Sequence, residues 1–486
     1  MRWCNAPYLT NDFSNIFCSK NFIKTMKTTA LENQSRQQTY LEQFIMRYTE
    51  RTKTSKQLAQ TYRPFLADER GTEDFSFPFK EMTYPIASKR AAGSRMWDVD
   101  GNEYIDLVMG LGVNLFGYNP PFIQAALTEQ LEQGIQLGSQ LEFVGEVAEL
   151  FCELTRMERV AFSNTGTEAI MTAIRLARTV TGRNKVAIFS HSYHGHSDQT
   201  LVQAETVDDN LHSVPIYPGI PPSAAEDILV LDFMHPRSLD EIAARRQELA
   251  AVLVSPIQRQ RPDRDPRMFL HQLRQLTAES GIALIFDEVV TGFRLHPGGA
   301  QAFFDVAADL AVYGKIVGGG MPIGAVAGKA TYMDRIDGGM WNYGDASYPQ
   351  ANQTLFAGTF RKHPLAIAAA RAVLQYLKSQ GSTLQEQLAH RTSQFIAELN
   401  AYFATKAVPL RMANFSSIIG PATSGISASF ESLMLLNYNL IDRGVLLLPG
   451  GGGYLSAAHT DEDIVRIVQV FKDSVEELQN LGLLLQ

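Results

Sequence analysis

Four short segments of this 486-residue chain hold the side chains best suited to chemistry. In DLAVYGKIVGGGMPIGAVAGK (309–329), Lys315 follows an apolar run and precedes three glycines. The default place for a lysine is the solvated surface. Here the neighbours Tyr313, Gly314, Ile316 and Val317 argue for burial, which lowers an ammonium pKa and produces a nucleophilic amine. In ALIFDEVVTGFR (283–294), Asp287 ends a run of aliphatic residues. A carboxylate there is costly unless a cation meets it. It either caps the next turn, pairs with Arg294, or serves as counter-ion to a protonated ring nitrogen.

The third segment is SNTGTEAIMTAIRLART (163–179). Thr165 and Glu168 have capping-box spacing, and Ala169, Ile170, Ala173, Ile174 and Ala177 form one apolar helix face. Gly166 lets an anion approach free N–H groups, so the segment is either a well-capped helix or a phosphate site. It lacks the GxxxxGK[ST] pattern, which argues against ATP. The fourth is SHSYHGHSD (190–198). Its histidines sit at i, i+3 and i+5, a spacing that does not place two ligands on one helical face, and no metal site is expected. The segment is either an ordinary loop, or Tyr193 offers an aromatic face to a planar cofactor with His194 as its polar neighbour.

An anion cradle, a ring clamp, a buried carboxylate and a buried amine are together what pyridoxal 5′-phosphate (PLP) requires. Each signal is weak alone. All four follow apolar runs, and that pattern sets the fold. Runs at 159–162, 185–189, 227–231, 251–254, 282–286 and 309–313 alternate with helical segments such as 168–179, 239–249 and 269–280. Strands apolar on both faces, separated by helices, predict a mostly parallel central sheet between helix layers, with its ligand site beyond the carboxyl ends of the strands.

Around this α/β body, 96–108 reads as two short strands turning at Asp100-Gly101. Helices are expected at 365–377, 383–404 and 462–481, with short strands near 409–430 and 444–456. Helical spacing of Leu41, Phe44, Ile45 and Tyr48 predicts a helix over 36–62, ending before Pro64 and packing on the body or acting as a connector. The resulting division is an N-terminal extension and helix (1–75), a large cofactor-binding domain (121–345), and a smaller α+β domain built from both chain ends (76–120 with 346–486).

Composition excludes several classes. The chain has 43 basic and 51 acidic residues, net charge −8, so a nucleic-acid partner is not expected. Its 45% hydrophobic content excludes a disordered chain, and no apolar run approaches the ~20 residues of a membrane span. Cys4, Cys18 and Cys152 are odd in number and widely spaced, as suits a reducing, cytoplasmic location. The first 34 residues lack the apolar core of a secretory signal; they read as an extension, with a transit peptide left open and Met26 as a second candidate start.

The segments WDVDGNEYIDLVMGLGVNLFGYNPP, SNTGTEA, YHGH, FDEVVTGFR, YGKIVGGGMPIGAVAG and FAGTFRKHPLA resemble the class III, fold-type I PLP-dependent aminotransferases and the glutamate-1-semialdehyde aminomutases. The likeness spans nearly all of 75–475, and the glycine segment after Lys315 is its most specific part. KEMTYPI, QRQRPD, MWNYGDASYPQ and AGTFRKHPLA look in particular like aminotransferase domains of mixed polyketide/nonribosomal-peptide synthetases. The resemblance implies that Lys315 bonds to the cofactor and shuttles a proton, and that Asp287 keeps the pyridine nitrogen protonated. It further implies that Val289 and Tyr193 press on the two ring faces and that Gly166 and Thr167 donate to the phosphate. Thr359 would reach the phosphate of a neighbouring subunit, implying a homodimer.

The implied activity is transamination from a small-molecule amino donor, glutamate or glutamine, to a ketone or aldehyde. In the synthetase-like case the acceptor is a β-ketoacyl thioester on an acyl carrier protein acting in trans. The alternatives are an aminomutase of the glutamate-1-semialdehyde type and a catalytically silent docking module. One departure stands out: Ser255 occupies a position where the family pattern carries Glu before Pro. It bears on donor and acceptor specificity rather than on cofactor chemistry. The glycine run 449–453 lies where the family lines its substrate entrance, with no role assigned.

Overall fold

A computed structural model describes residues 20–68, 75–207, 210–423 and 428–484. Seven strands form the central sheet: β1 (Arg159–Ser163), β2 (Lys185–Phe189), β3 (Ile228–Leu231), β4 (Leu249–Val254), β5 (Ala283–Asp287), β6 (Leu310–Gly314) and β7 (Gly324–Gly328). Their spatial order is β1-β7-β6-β5-β4-β2-β3, with β7 alone antiparallel to its neighbours. Every residue of β4, β5, β6 and β7 is buried, the pattern of a sheet covered on both faces.

Helix α1 (Gly166–Thr181) lies on one face, its Ala169, Ile170, Ala173 and Ile174 packed in a cluster with Val186, Leu253, Ile285 and Val312. The other face belongs to the larger core, where Phe151 meets Phe162, Phe293 and Tyr313 edge-on at 5.0–5.9 Å. Each fully buried aliphatic or aromatic side chain contributes roughly 1.5–3 kcal/mol, so the sheet is the stable platform of the molecule. At Gly324 a Cβ would lie 2.0 Å from the Thr165 carbonyl oxygen, so only glycine lets β7 run against the start of α1.

The smaller part joins both chain ends, as expected. Strands Arg95–Asp98 and Glu103–Asp106 pair antiparallel, and Val445–Leu446 adds in parallel to the second. A second sheet holds Met412–Phe415, Ile418–Pro421 and Gly453–Tyr454. Helices Pro364–Gln380, Thr383–Thr405 and Asp461–Asn480 agree with the expected ones within a few residues.

Several expectations need correction. The helix expected over 239–249 is Pro236–Ala244; Leu249 instead opens β4, because its side chain extends the continuous apolar run of a buried strand. Helix Phe430–Asp442, the hairpin Val202–Val207 with Asn210–Pro215, and strand β7 were not anticipated. The segment 36–62 is not one helix. Lys20–Arg51 and Lys53–Tyr62 are separated at Thr52, and the Asp100 carboxylate accepts from the Thr54 and Ser55 N–H groups at the new helix start. Phe44 and Tyr48 are buried, and Tyr48 meets Tyr438 edge-on at 5.4 Å, so this segment packs on the body. Cys4, Cys18 and the rest of the extension before residue 20 lie outside the described residues. Among the described residues no helix is long and apolar enough to cross a membrane.

Candidate active site

The carboxyl ends of β5 and β6 are adjacent, Asp287 standing opposite Val312 in the parallel ladder. Asp287 is buried and held by both oxygens. Oδ2 lies 2.7 Å from His194 Nδ1, and Oδ1 accepts the Val289 N–H at 3.1 Å. Its cation is therefore not Arg294. That guanidinium, fully buried, donates to the Gly112 carbonyl and to Ser417 Oγ, and it stacks 4.8 Å over the Tyr454 ring. His194 is buried too, and its Nε2 has no partner among the described residues. Of the three histidines in the segment, His194 is the one turned inward; among the described residues no group of three potential metal ligands assembles.

Lys315 begins directly beyond β6 with a φ of 48°, a left-handed conformation costing a non-glycine residue roughly 1–2 kcal/mol. The tight turn Lys315–Gly318 follows, and Lys315 lines the same cavity as Asp287. Burial pulls the Lys315 ammonium below the ordinary lysine range. Asp287 opposes this shift, and the positive charges of Arg294 and Arg259 add to it.

The start of α1 is built as the spacing predicted, with one difference. Thr165 Oγ1 accepts the Glu168 N–H at 3.1 Å, but the Glu168 carboxylate returns to the N–H of Asn164, one residue before the cap. The first N–H groups of α1, at Gly166 and Thr167, are left for an acceptor. The loop carrying His194 is drawn against this helix start: His196 N–H donates to Thr167 Oγ1 at 3.3 Å. A Cβ at Gly195, whose φ is +87°, would lie 2.5 Å from that same oxygen. Val289 also lies against the helix start, its two methyls 3.1 and 3.6 Å from where a Cβ of Gly166 would sit.

Gly166, Thr167, Tyr193, His194, Asp287, Val289 and Lys315 thus line one cavity of about 370 Å³. Tyr193 is the most exposed of them. Thr359 is outside it: exposed, although the neighbouring Gly358 approaches Asn164 at the head of α1. Ser255 is on the cavity wall beyond β4, and Leu448 and Tyr454 enter from the C-terminal part of the chain. Sequence reasoning missed Gln258 and Arg259 as wall residues. Gln258 Nε2 donates to the Ser190 carbonyl at 2.8 Å and to Ser192 Oγ at 3.0 Å, leaving Oε1 buried without a partner. The signal that could have found them is position just past a buried strand, the apolar run 251–254. Glu288, beside Asp287, faces the protein rather than the cavity. It accepts from Thr291 Oγ1 and from the Ala300 and Gln301 N–H groups, and burial pushes its carboxyl up to about 7.

A buried amine, a carboxylate locked by a histidine, and an open helix N-terminus at one carboxyl edge of a parallel sheet define a fold-type I PLP site. The residues present fit that cofactor: His194 and Gln258, whose Nε2 and Oε1 have no partner among the described residues, line a cavity that also holds the amine, the carboxylate and the anion donors.

The family pattern of Aminotransferase class-III matches residues 77–418. The glutamate-1-semialdehyde 2,1-aminomutase of Chloroflexus aggregans is 33% identical over 412 residues, 81% of this chain and 91% of the relative. An omega-transaminase from Sphaerobacter thermophilus superposes with a TM-score of 0.78 at 28% identity, covering 87% of this chain and 98% of that one. A transaminase solved with PLP bound gives 0.77 at 25% identity, covering 89% and 99%. The chain belongs to the class III aminotransferase family and is a PLP-dependent enzyme of fold type I.

Proposed function

We propose that the chain is an amine-transferring enzyme of the glutamate-1-semialdehyde aminomutase kind, moving an amino group between carbons of one small carboxylate-bearing molecule. The buried Lys315 amine beside the His194-locked Asp287 carries the reading of amine transfer, and the identity to the aminomutase favours exchange within one molecule. Bound PLP supplies the electron sink for charge left on the substrate carbon. Lys315 Nζ anchors the cofactor and, once displaced by substrate, takes and returns the proton at that carbon. Asp287 holds the proton on the pyridine nitrogen, and His194 fixes the orientation of its Oδ2. Val289 and Tyr193 confine the ring, and the Gly166 and Thr167 N–H groups bind the phosphate.

Transfer from a separate donor, glutamate or glutamine, to a keto or aldehyde acceptor is the second reading, favoured by the similarity to the solved transaminases. Its finer form, a β-ketoacyl thioester on an acyl carrier protein, rests on the synthetase-like segments alone. Two measurements separate the readings. Holoenzyme given glutamate-1-semialdehyde moves the amine from carbon 2 to carbon 1, followed by NMR, if the first holds. Full conversion of the cofactor to its amine form by L-glutamate instead establishes the second. A silent docking module is opposed by the intact Lys315 and Asp287, and it would return if the protein took up no PLP.

A homodimer is part of the proposal. Thr359 of the partner subunit would complete the phosphate site, and Met340, Trp341, Tyr343, Leu355 and Phe360 leave apolar surface exposed on the same stretch. The division into 121–345 and 76–120 with 346–486, and a cytoplasmic location, belong to the same reading.

A further inference from the structure

The cavity wall carries a cation to which the chemistry above gives no task. Arg259 lines the same cavity as Lys315 and Asp287, and its charge acts on both Lys315 and the Tyr454 phenol. Among the described residues its guanidinium has no carboxylate partner. Among the described residues Asp287 is the one acid on the cavity wall, and its oxygens are taken by His194 and the Val289 N–H. At residue 255, where an acid could have neutralised the wall, there is a serine. The second guanidinium in this region, Arg294, is buried behind Tyr454 and tied to Gly112 and Ser417, so it cannot turn to a ligand.

The chain also makes room for Arg259. A Cβ at Gly452 would stand 2.9 Å from Arg259 Nη1. Gly452 belongs to a tight loop closed by its carbonyl accepting from the Leu448 N–H at 2.9 Å, with Gly450 and Gly451 at φ of 79° and 84°. Gly452 of the run 449–453 is thereby given a role: its bare backbone is where the guanidinium lies.

We propose that Arg259 is the receptor for the substrate's carboxylate, with the glycine loop as its backing and Ser255 leaving its charge free. The planar fork of a guanidinium matches the two oxygens of a carboxylate. This rests on the PLP reading and names the residue that would recognise the carboxylate of its substrate. The cofactor phosphate is the other anion in the cavity, and the experiment separates the two.

Holoenzyme, Arg259→Ala, Arg259→Lys and Ser255→Glu are compared in three measurements: PLP content by absorbance, calorimetric affinity for the unreactive dicarboxylate glutarate, and the ratio of kcat/KM for the amine-bearing substrate over its analogue lacking the carboxylate. Arg259→Ala should keep its PLP while glutarate affinity and that ratio fall roughly 10- to 100-fold. Arg259→Lys should recover part of both. Ser255→Glu, adding a negative charge to the wall, should weaken glutarate roughly 5-fold. Unchanged glutarate affinity in Arg259→Ala overturns the proposal. So does loss of PLP with glutarate affinity intact, which would assign Arg259 to the phosphate. Wild-type protein that takes up no PLP would instead overturn the amine-transfer reading, while the glutarate titration still tests Arg259.

Discussion

The two ends of the active-site cavity are built on opposite plans. At the cofactor end the carboxylate is fixed by its bonds and the lysine by its backbone. Asp287 is bonded through both oxygens, His194 is buried against it, and Lys315 is held in a left-handed turn beyond a fully buried strand. At the substrate end, Arg259 and Ser255 stand on the wall without such bonds among the described residues, with Gly452 of the glycine loop against Arg259. Fixed groups suit a cofactor whose chemistry is shared by a whole family, because geometry is set before reaction. A cation left free suits recognition of a variable partner, since the ligand supplies the missing charge. The rigid end therefore defines the reaction and the unpaired end defines what undergoes it.

The contrast breaks most visibly at Lys315. Lys315→Ala should lower turnover more than roughly 10³-fold and abolish the borohydride-reducible attachment of PLP; a reducible adduct persisting in the variant would remove Lys315 from its role. Asp287→Asn should retain the attachment and lose roughly 10²- to 10³-fold in single-turnover rate, because the ring nitrogen is no longer held protonated. Next in size is His194→Phe, which deletes one charge-assisted hydrogen bond worth roughly 1.5–3 kcal/mol and should slow the same step about tenfold or more. Equal rates for wild type and His194→Phe would mean that Val289 N–H alone orients Asp287.

The pH dependence of cofactor capture sharpens the comparison further. Only the neutral Lys315 amine attacks the cofactor aldehyde, so the rate of PLP uptake by apoprotein falls as pH drops through the Lys315 pKa. Burial lowers that value, so the midpoint should lie below the ordinary lysine value of 10.5. A midpoint at or above 10.5 would show that Asp287, rather than burial, governs the amine. The smallest effect belongs to the helix start. Thr165→Ala removes the cap on Glu168 N–H and should cost about 1 kcal/mol, read as a modest fall in Tm with PLP affinity weakened less than for any change at Lys315.

Much of the rigid end was legible in sequence. The runs ending at Asp287 and before Lys315 have no helical period and no polar interruption, so they could only be buried strands, and a charged residue at such an end has few innocuous explanations. The cap at Thr165 was legible because its partners lie within four residues. The His194–Asp287 bond was not, for it joins residues 93 positions apart on separate loops. Strand β7 escaped notice because GAVAG offers alanine and glycine where strand propensity asks for branched side chains; its burial between β1 and β6 overrides that preference. Arg259 lay in a polar segment, and its freedom depends on Gly452, almost two hundred residues onward.

The amino-acid sequence by itself determined the reactive inventory, the alternating strands and helices, and the capped helix start, because each depends on side-chain type and on neighbours a few residues away. The tertiary structure alone decided which side chain meets which carboxylate, that Arg294 turns away from Asp287, and that Arg259 is left without an acid among the described residues. Partners and burial come from distant parts of the chain, and it is they that set the charge and pKa of a group once water is removed.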